Sequence, residues 1–240
     1  MQIIRSKSLS LAFSVAVIAG AGHASAAIVI TEVDPAGSGS GSGYAADWFE
    51  LTNTGSSAVS ISGWKMDDNH DSFAAAVALT GVSSIAAGQS VEFIESTGST
   101  AATVDANFEK AWFGTAVPSS LTLGNYSGGS VGLSQSGDAV NIYNSSGSLI
   151  TGVTFGAAPS TQGTFDNTAG ISGAISQASV VGVNGAFKSA NGEIGSPGID
   201  TGLTPVPLPA AAFLMLGGLG GFGAFVRKRQ TSALALTKRR

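Results

Sequence analysis

Asp67-Asp68-Asn69-His70-Asp71 is the densest run of metal-seeking side chains in this sequence. Asp67, Asn69 and Asp71 alternate as the oxygen ligands do at the start of an EF-hand loop. The likeness ends there. Ser72 stands where the sixth position needs Gly, and Ala78 where the twelfth needs a bidentate Glu. The expectation is a looser Ca2+ site on Asp67, Asn69 and Asp71, in a turn between strands, with Asp34 or Asp47 contributing from a neighbouring loop. His23 lies in the N-terminal leader-like stretch, so His70 is the one histidine of the central chain. A zinc site asks for three or four His, Cys or carboxylate ligands, and the sequence has no cysteine.

The side chains of other chemistries are present without their settings. A Ser-His-Asp triad needs a positioned Ser and an oxyanion hole. Gly41-Ser42-Gly43 lies in a Gly/Ser loop, not between a strand and a helix. Glu32, Glu50, Glu92 and Glu95 could supply the paired carboxylates of glycoside hydrolysis. Each alternates within a strand, which reads as an outward or edge-facing residue that favours solubility. Trp48, Trp64 and Trp112 read as core rather than as a sugar-binding platform. No catalytic residue is assigned, and the chain is expected not to be an enzyme.

The elements that must hold these residues are short strands. Ile28-Val29-Ile30-Thr31-Glu32-Val33 is β-branched and unbroken. In Trp48–Asn53, alternation puts Trp48, Glu50 and Thr52 on one face and Phe49, Leu51 and Asn53 on the other. Strands are predicted at 28–33, 47–53, 58–66, 73–79, 89–95, 129–133, 138–143 and 148–155, with turn residues between them. Such spacing means an all-β sandwich or barrel. Residues 103–113 differ, with apolar side chains at 104, 108, 111 and 112. That is helical spacing, with Thr103 or Asp105 as N-cap. A short helix across an open edge or end of the sandwich, burying Phe108 and Trp112, is predicted. Ser176–Val183 is a candidate last strand.

Several of these segments resemble one family in order. Asp47-Trp48-Phe49-Glu50-Leu51-Thr52-Asn53-Thr54-Gly55, followed by Val59-Ser60-Ile61-Ser62-Gly63-Trp64, resembles the core signature of the lamin tail domain family. Ala86–Phe93, Gly137–Tyr143, Gly147–Gly156 and the Gly195-Ser196-Pro197-Gly198 exit motif are similar to its later parts. The resemblance implies an immunoglobulin-like β-sandwich over 27–198, with its core reaching to about 156.

The two ends carry most of the positive charge. Arg5 and Lys7 precede an apolar run, Leu9–Gly22, and Ala24-Ser25-Ala26 supplies small residues before Ala27. This is the pattern of a cleaved secretory signal over residues 1–26, with Ala24, Ala26 and Ala27 at the cleavage point. At the other end Pro205-Val206-Pro207-Leu208-Pro209 leads into an uncharged run, Ala210–Val226, closed by Arg227-Lys228-Arg229. Seventeen apolar residues just reach the thickness of a bilayer core, and the basic cluster would stay cytoplasmic. Val206-Pro207-Leu208-Pro209-Ala210, with the apolar run and the basic cluster behind it, resembles the PEP-CTERM sorting signal in its VPLPA form. That resemblance implies recognition by an exosortase-type membrane protease and delivery to the surface or extracellular matrix of a Gram-negative bacterium. Gln230–Arg240 extends past the point where that family usually ends.

Between the ends, three lysines face all fifteen acidic residues, a net charge of −12. Such a chain repels nucleic acid, whose binding needs Lys and Arg on phosphates. The expected organisation is a signal peptide (1–26), a sandwich (27–198), a tether (199–204), a sorting segment (205–229) with a transmembrane helix, and a basic tail (230–240). The expected role is adhesion or assembly at the cell surface. A divalent-cation-dependent module binding surface polysaccharide is the alternative, and a secreted hydrolase a third.

Overall fold

The computed structural model describes residues 28–199, except 38, 40, 160 and 161. Fourteen strands and one helix occur among them. They are β1 Ile28–Asp34, β2 Trp48–Asn53, β3 Val59–Ser60, β4 Lys65–Asp67, β5 Val77–Ala78, β6 Ser84–Ile85, β7 Ser90–Glu95, α1 Ala101–Phe113, β8 Leu123–Tyr126, β9 Asp138–Tyr143, β10 Leu149–Phe155, β11 Phe165–Asp166, β12 Gly173–Ile175, β13 Phe187–Lys188 and β14 Ile194–Gly195. Two five-stranded sheets form, in the orders β11-β1-β2-β7-β8 and β12-β10-β9-β4-β5. β3-β6 and β13-β14 are two-stranded ribbons.

Period-two alternation builds the core between the sheets. Ile28, Ile30, Val33, Phe49, Leu51, Val91 and Phe93 come from the first sheet, and Met66, Val140, Ile142, Val153, Phe155 and Ile175 from the second. One irregularity governs the opposite face. The β1–β2 register shifts between Ile30 and Glu32, so Thr31 is an extra residue in β1. The bulge keeps Ile30 and Val33 inside while Thr31 and Glu32 both reach the outer face. Asn167 Nδ2 bonds the Ile30 carbonyl at 2.6 Å beside it.

The outer face of the first sheet is covered too. Trp48 and Ile94 project from it into a second apolar cluster with Tyr44, Val104, Phe108, Ala111 and Trp112. The helix therefore packs across a sheet face, not across an edge or end as predicted. Its four predicted apolar positions are the four buried ones. Its N-cap is Thr100 rather than Thr103 or Asp105, with Thr100 Oγ1 accepting from Thr103 N at 3.3 Å. Phe108 stands edge-on to Tyr44 at 5.2 Å and to Trp48 at 5.6 Å. Phe108→Ala is expected to cost about 3–5 kcal/mol, the usual loss for a buried Phe, measured by urea denaturation of the full chain.

Four strand predictions change, the first being 73–79, where only Val77–Ala78 is strand and the residues before it turn on the Ala75 N and Ala76 N bonds to the Ser72 carbonyl. Residues 58–66 are split, because the chain turns from the β3-β6 ribbon into the second sheet at Ile61–Trp64. Gly63 sits there at φ +75°, where only glycine is unstrained. Residues 129–133 form no strand. Val131 and Leu133 are buried, but the ladder to β7 is made by β8, which lies earlier in the chain. Ser176–Val183 also forms no strand. Val180, Val181 and Val183 are exposed, and β12 precedes them. No helix among the described residues is long and apolar enough to cross a membrane.

Candidate functional site

Nine of the fourteen described acidic residues are buried: Glu32, Asp34, Asp47, Glu50, Asp67, Asp68, Glu92, Asp138 and Glu193. The glutamates of β1, β2 and β7 do face outward, as alternation predicts, but they are not solubility residues. Glu32 pairs with Glu50 across β1–β2, and Glu50 with Glu92 across β2–β7. They form a row across three strands, next to the apolar cluster under the helix, and each is at most 1% exposed.

The exit motif covers them. Ser196 N donates to Glu32 Oε1 at 2.9 Å and Oε2 at 3.1 Å, and Ser196 Oγ to Oε2 at 2.9 Å. Gly198 N donates to Glu50 Oε2 at 3.2 Å and to Glu92 Oε1. Thr164 Oγ1 bonds Glu32, and Thr31 Oγ1 bonds Glu50. Only a residue without a side chain fits at 195. A Cβ there would lie 2.5 Å from Glu32 Oε1 and 2.9 Å from the Trp112 ring.

Hydrogen bonds favour the charged forms of these groups, but burial outweighs them. Burial, with Glu50 beside it, pushes the Glu32 carboxyl up to about 8. Burial pushes Glu92 up to about 7. Burial and the adjacent Glu92 hold Glu50 well above the ordinary carboxyl range. Burial of the three side by side thus favours their neutral forms. Glu92 Oε2 is buried with no partner.

A second acidic group lies at the end of the same sheet. Tyr44 Oη is 3.0 Å from Asp34 Oδ2 and 3.2 Å from Glu193 Oε1. Trp48 Nε1 donates to Asp34 Oδ2 at 3.0 Å. Burial raises both acids, Glu193 to about 8, with Asp34 adding to the rise.

In the acidic loop, the structure groups Asp67 with Asp68 and His70. One ligand atom from each lies within 4.8 Å of the others. His70 Nδ1 contacts Asp68 Oδ1, and this hydrogen bond raises the imidazole pKa. Asp67 is fully buried: Oδ2 accepts from Ser72 N at 2.7 Å, while Oδ1 has no partner. Asn69 is exposed. Asp71 adopts φ +49° and its Oδ1 takes the Tyr143 hydroxyl at 2.7 Å. An imidazole in the donor set suits Zn2+ and its neighbours better than Ca2+, which takes oxygen ligands.

The remaining predicted residues fall outside the described ones: Ala24, Ala26 and Ala27 at the signal cleavage point, Val206–Ala210 in the sorting motif, and Arg227, Lys228 and Arg229. Trp48, Trp64 and Trp112 are buried in the two cores. Glu193 carried no signal in the sequence, because its context is rich in Gly and Ser.

Set beside known families, residues 21–157 match the model of the lamin tail domain. No curated protein and no solved structure matches the chain.

Proposed function

Because the chain belongs to the lamin tail domain family, with its immunoglobulin-like sandwich, we propose that it is an exported, non-enzymatic surface or matrix protein. Adhesion or assembly is its role, and a PEP-CTERM-type signal its address. The observation that carries this reading is the order of parts after a folded domain. Val206-Pro207-Leu208-Pro209-Ala210, the apolar run to Val226 and Arg227-Lys228-Arg229 succeed one another. The strap Ser196–Gly198, bonded to Glu32, Glu50 and Glu92, supports it by tying the chain to the sandwich shortly before that motif in the sequence. In this reading the signal peptide exports the chain and residues 210–226 hold it in the inner membrane. An exosortase-type protease then acts near Val206–Ala210. The test is fractionation of the source cells with mass spectrometry of the mature C-terminus. Loss of everything beyond the motif from extracellular protein is expected; intact Gln230–Arg240 on that protein would refute sorting by cleavage.

A second reading, a divalent-cation-dependent polysaccharide-binding module, is favoured by the partnerless Asp67 Oδ1 beside Asp68 and His70. Zn2+ would be held by those three residues and fix the loop between β4 and β5. Tm is then expected to rise by a few degrees with micromolar Zn2+, to fall back with EDTA, and to be insensitive to Zn2+ in Asp67→Asn. An unmoved Tm in the unsubstituted chain disposes of this site.

A further inference from the structure

The Asp34–Glu193 pair has more carboxylate oxygen than its surroundings satisfy. A polar cleft of about 390 Å³ opens there, lined by Asp34, Ser42, Gln135, Gln162 and Glu193. These residues come from the end of β1, the loop after it, the loop before β9, the segment before β11 and the turn before β14. Asp34 is well bonded: Ala36 N donates to Oδ1 at 2.9 Å, and Trp48 Nε1 to Oδ2. Glu193 is not. It is 4% exposed, its backbone is held by Ser189, and among the described residues its side chain bonds Tyr44 Oη alone. Glu193 Oε2 is buried with none.

Tyr44 has one hydroxyl hydrogen and two carboxylates within reach, so it can donate to only one of them. Trp48 Nε1 already donates to that hydroxyl at 3.1 Å. Glu193 thus depends on a hydroxyl that it shares with Asp34, and its second oxygen is unsatisfied, which is costly in a buried group. A cation removes both problems at once. The side chains lining the cleft can offer carboxyl, amide and hydroxyl oxygens, with no imidazole or thiol among them, and hard divalent cations take such sets. We propose that this cleft is a Ca2+-class cation site, with Asp34 and Glu193 as its anionic ligands and Gln135, Gln162 and Ser42 completing the oxygen shell. It is separate from the Asp67–His70 loop and does not depend on the sorting reading. Bound cation would tie the glycine-rich loop after β1 to the turn before β14, and so to the strap over the glutamate row.

Trp48 provides the readout, because its indole touches Asp34 and would sensitise a lanthanide bound there. The full chain, purified in detergent and stripped with EDTA, is titrated with Tb3+ under tryptophan excitation. A saturable rise in Tb3+ emission, displaced by Ca2+ and much less by Mg2+, is expected. Glu193→Gln should weaken Tb3+ binding at least tenfold while far-UV circular dichroism in EDTA stays unchanged. Asp67→Asn should leave the titration as it was. If Glu193→Gln does not fold, Gln162→Ala takes its place and should weaken binding several-fold. The proposal falls if the unsubstituted chain gives no saturable emission. It also falls if Asp67→Asn abolishes the signal, or if the Glu193 and Gln162 variants bind Tb3+ unchanged.

Discussion

Melting of the chain in EDTA should drop by on the order of 10 °C between pH 5 and pH 9. The sign is set by the glutamate row. Glu92 titrates at about 7 and Glu32 at about 8 in the folded state, against an ordinary 4.5, and Glu50 is shifted the same way. Above pH 4.5 the unfolded chain has lost these protons while the folded chain still holds them. Stability is therefore fully present below 4.5 and is lost as pH rises through 7 and 8. Each tenfold change in acidity carried on folding is worth about 1.4 kcal/mol, so even a heavily relaxed row loses several kcal/mol. A domain of this size changes Tm by about 2–4 °C per kcal/mol. Asp34 and Glu193 shift in the same direction and add to the loss. The familiar acid lability of ion-paired carboxylates is reversed here, because these groups are buried beside one another. Glu50→Gln removes one titratable carboxyl from the middle of the row at constant shape. It should flatten the profile and leave the variant more stable than the parent at pH 9. A Tm that is flat or rises from pH 5 to pH 8 would mean that the row is ionised and compensated.

The strands that alternate cleanly were legible. β1, β2, β7, β9 and β10 carry β-branched and aromatic residues at every second position, and the helix spacing at 104, 108, 111 and 112 named its buried face. β8 escaped because Leu-Gly-Asn-Tyr does not alternate; its place is set by pairing with β7. Residues 129–133 misled for the converse reason: Val131 and Leu133 are buried without joining a ladder. Alternation also settled which face Glu32, Glu50 and Glu92 occupy, and said nothing about what lies over it. The cover is Ser196–Gly198, at sequence separations of 106 to 164 residues. A period-two pattern has no access to a lid that distant. Read alone, Gly195-Ser196-Pro197-Gly198 was an exit motif leading to a tether. In the fold its backbone N–H groups are donors to three carboxyl groups. The acidic loop was located from composition, but its grouping was not. Alternate residues of an extended loop were expected to converge, whereas the turn at Asp71 carries that side chain to Tyr143 and brings His70 back to Asp68.

The domain boundary is where the fold departs furthest from what the family match alone would suggest. The match stops at 157, yet a chain covering 27–157 should fail to unfold cooperatively, while 27–199 should do so. Residues 158–199 supply part of both sheets: β11 extends the first through Glu32–Asp166 and Val33–Phe165, and β12 extends the second beside β10. Phe165 and Ile175 are core residues at 3% and 5% exposure, and Phe165 lies 5.3 Å from Phe155. Removing two such side chains forfeits about 1.5–3 kcal/mol each. The backbone partners of β1 and β10 go with them, as does the Asn167 bond that supports the β1 bulge. The row is then opened. Glu32, Glu50 and Glu92 lose the Ser196 and Gly198 donors, and water reaches the apolar cluster under the helix where Trp112 meets residue 195. Against a total stability of about 5–15 kcal/mol, these losses together exceed what a domain can absorb. Urea titrations followed by tryptophan fluorescence decide it. A sharp transition in 27–157 within about 2 kcal/mol of 27–199 would show that the sandwich ends with the family match and that the strap is an accessory. A broad or absent transition makes residues 158–199 an integral part of the sandwich, with the strap closing its glutamate row.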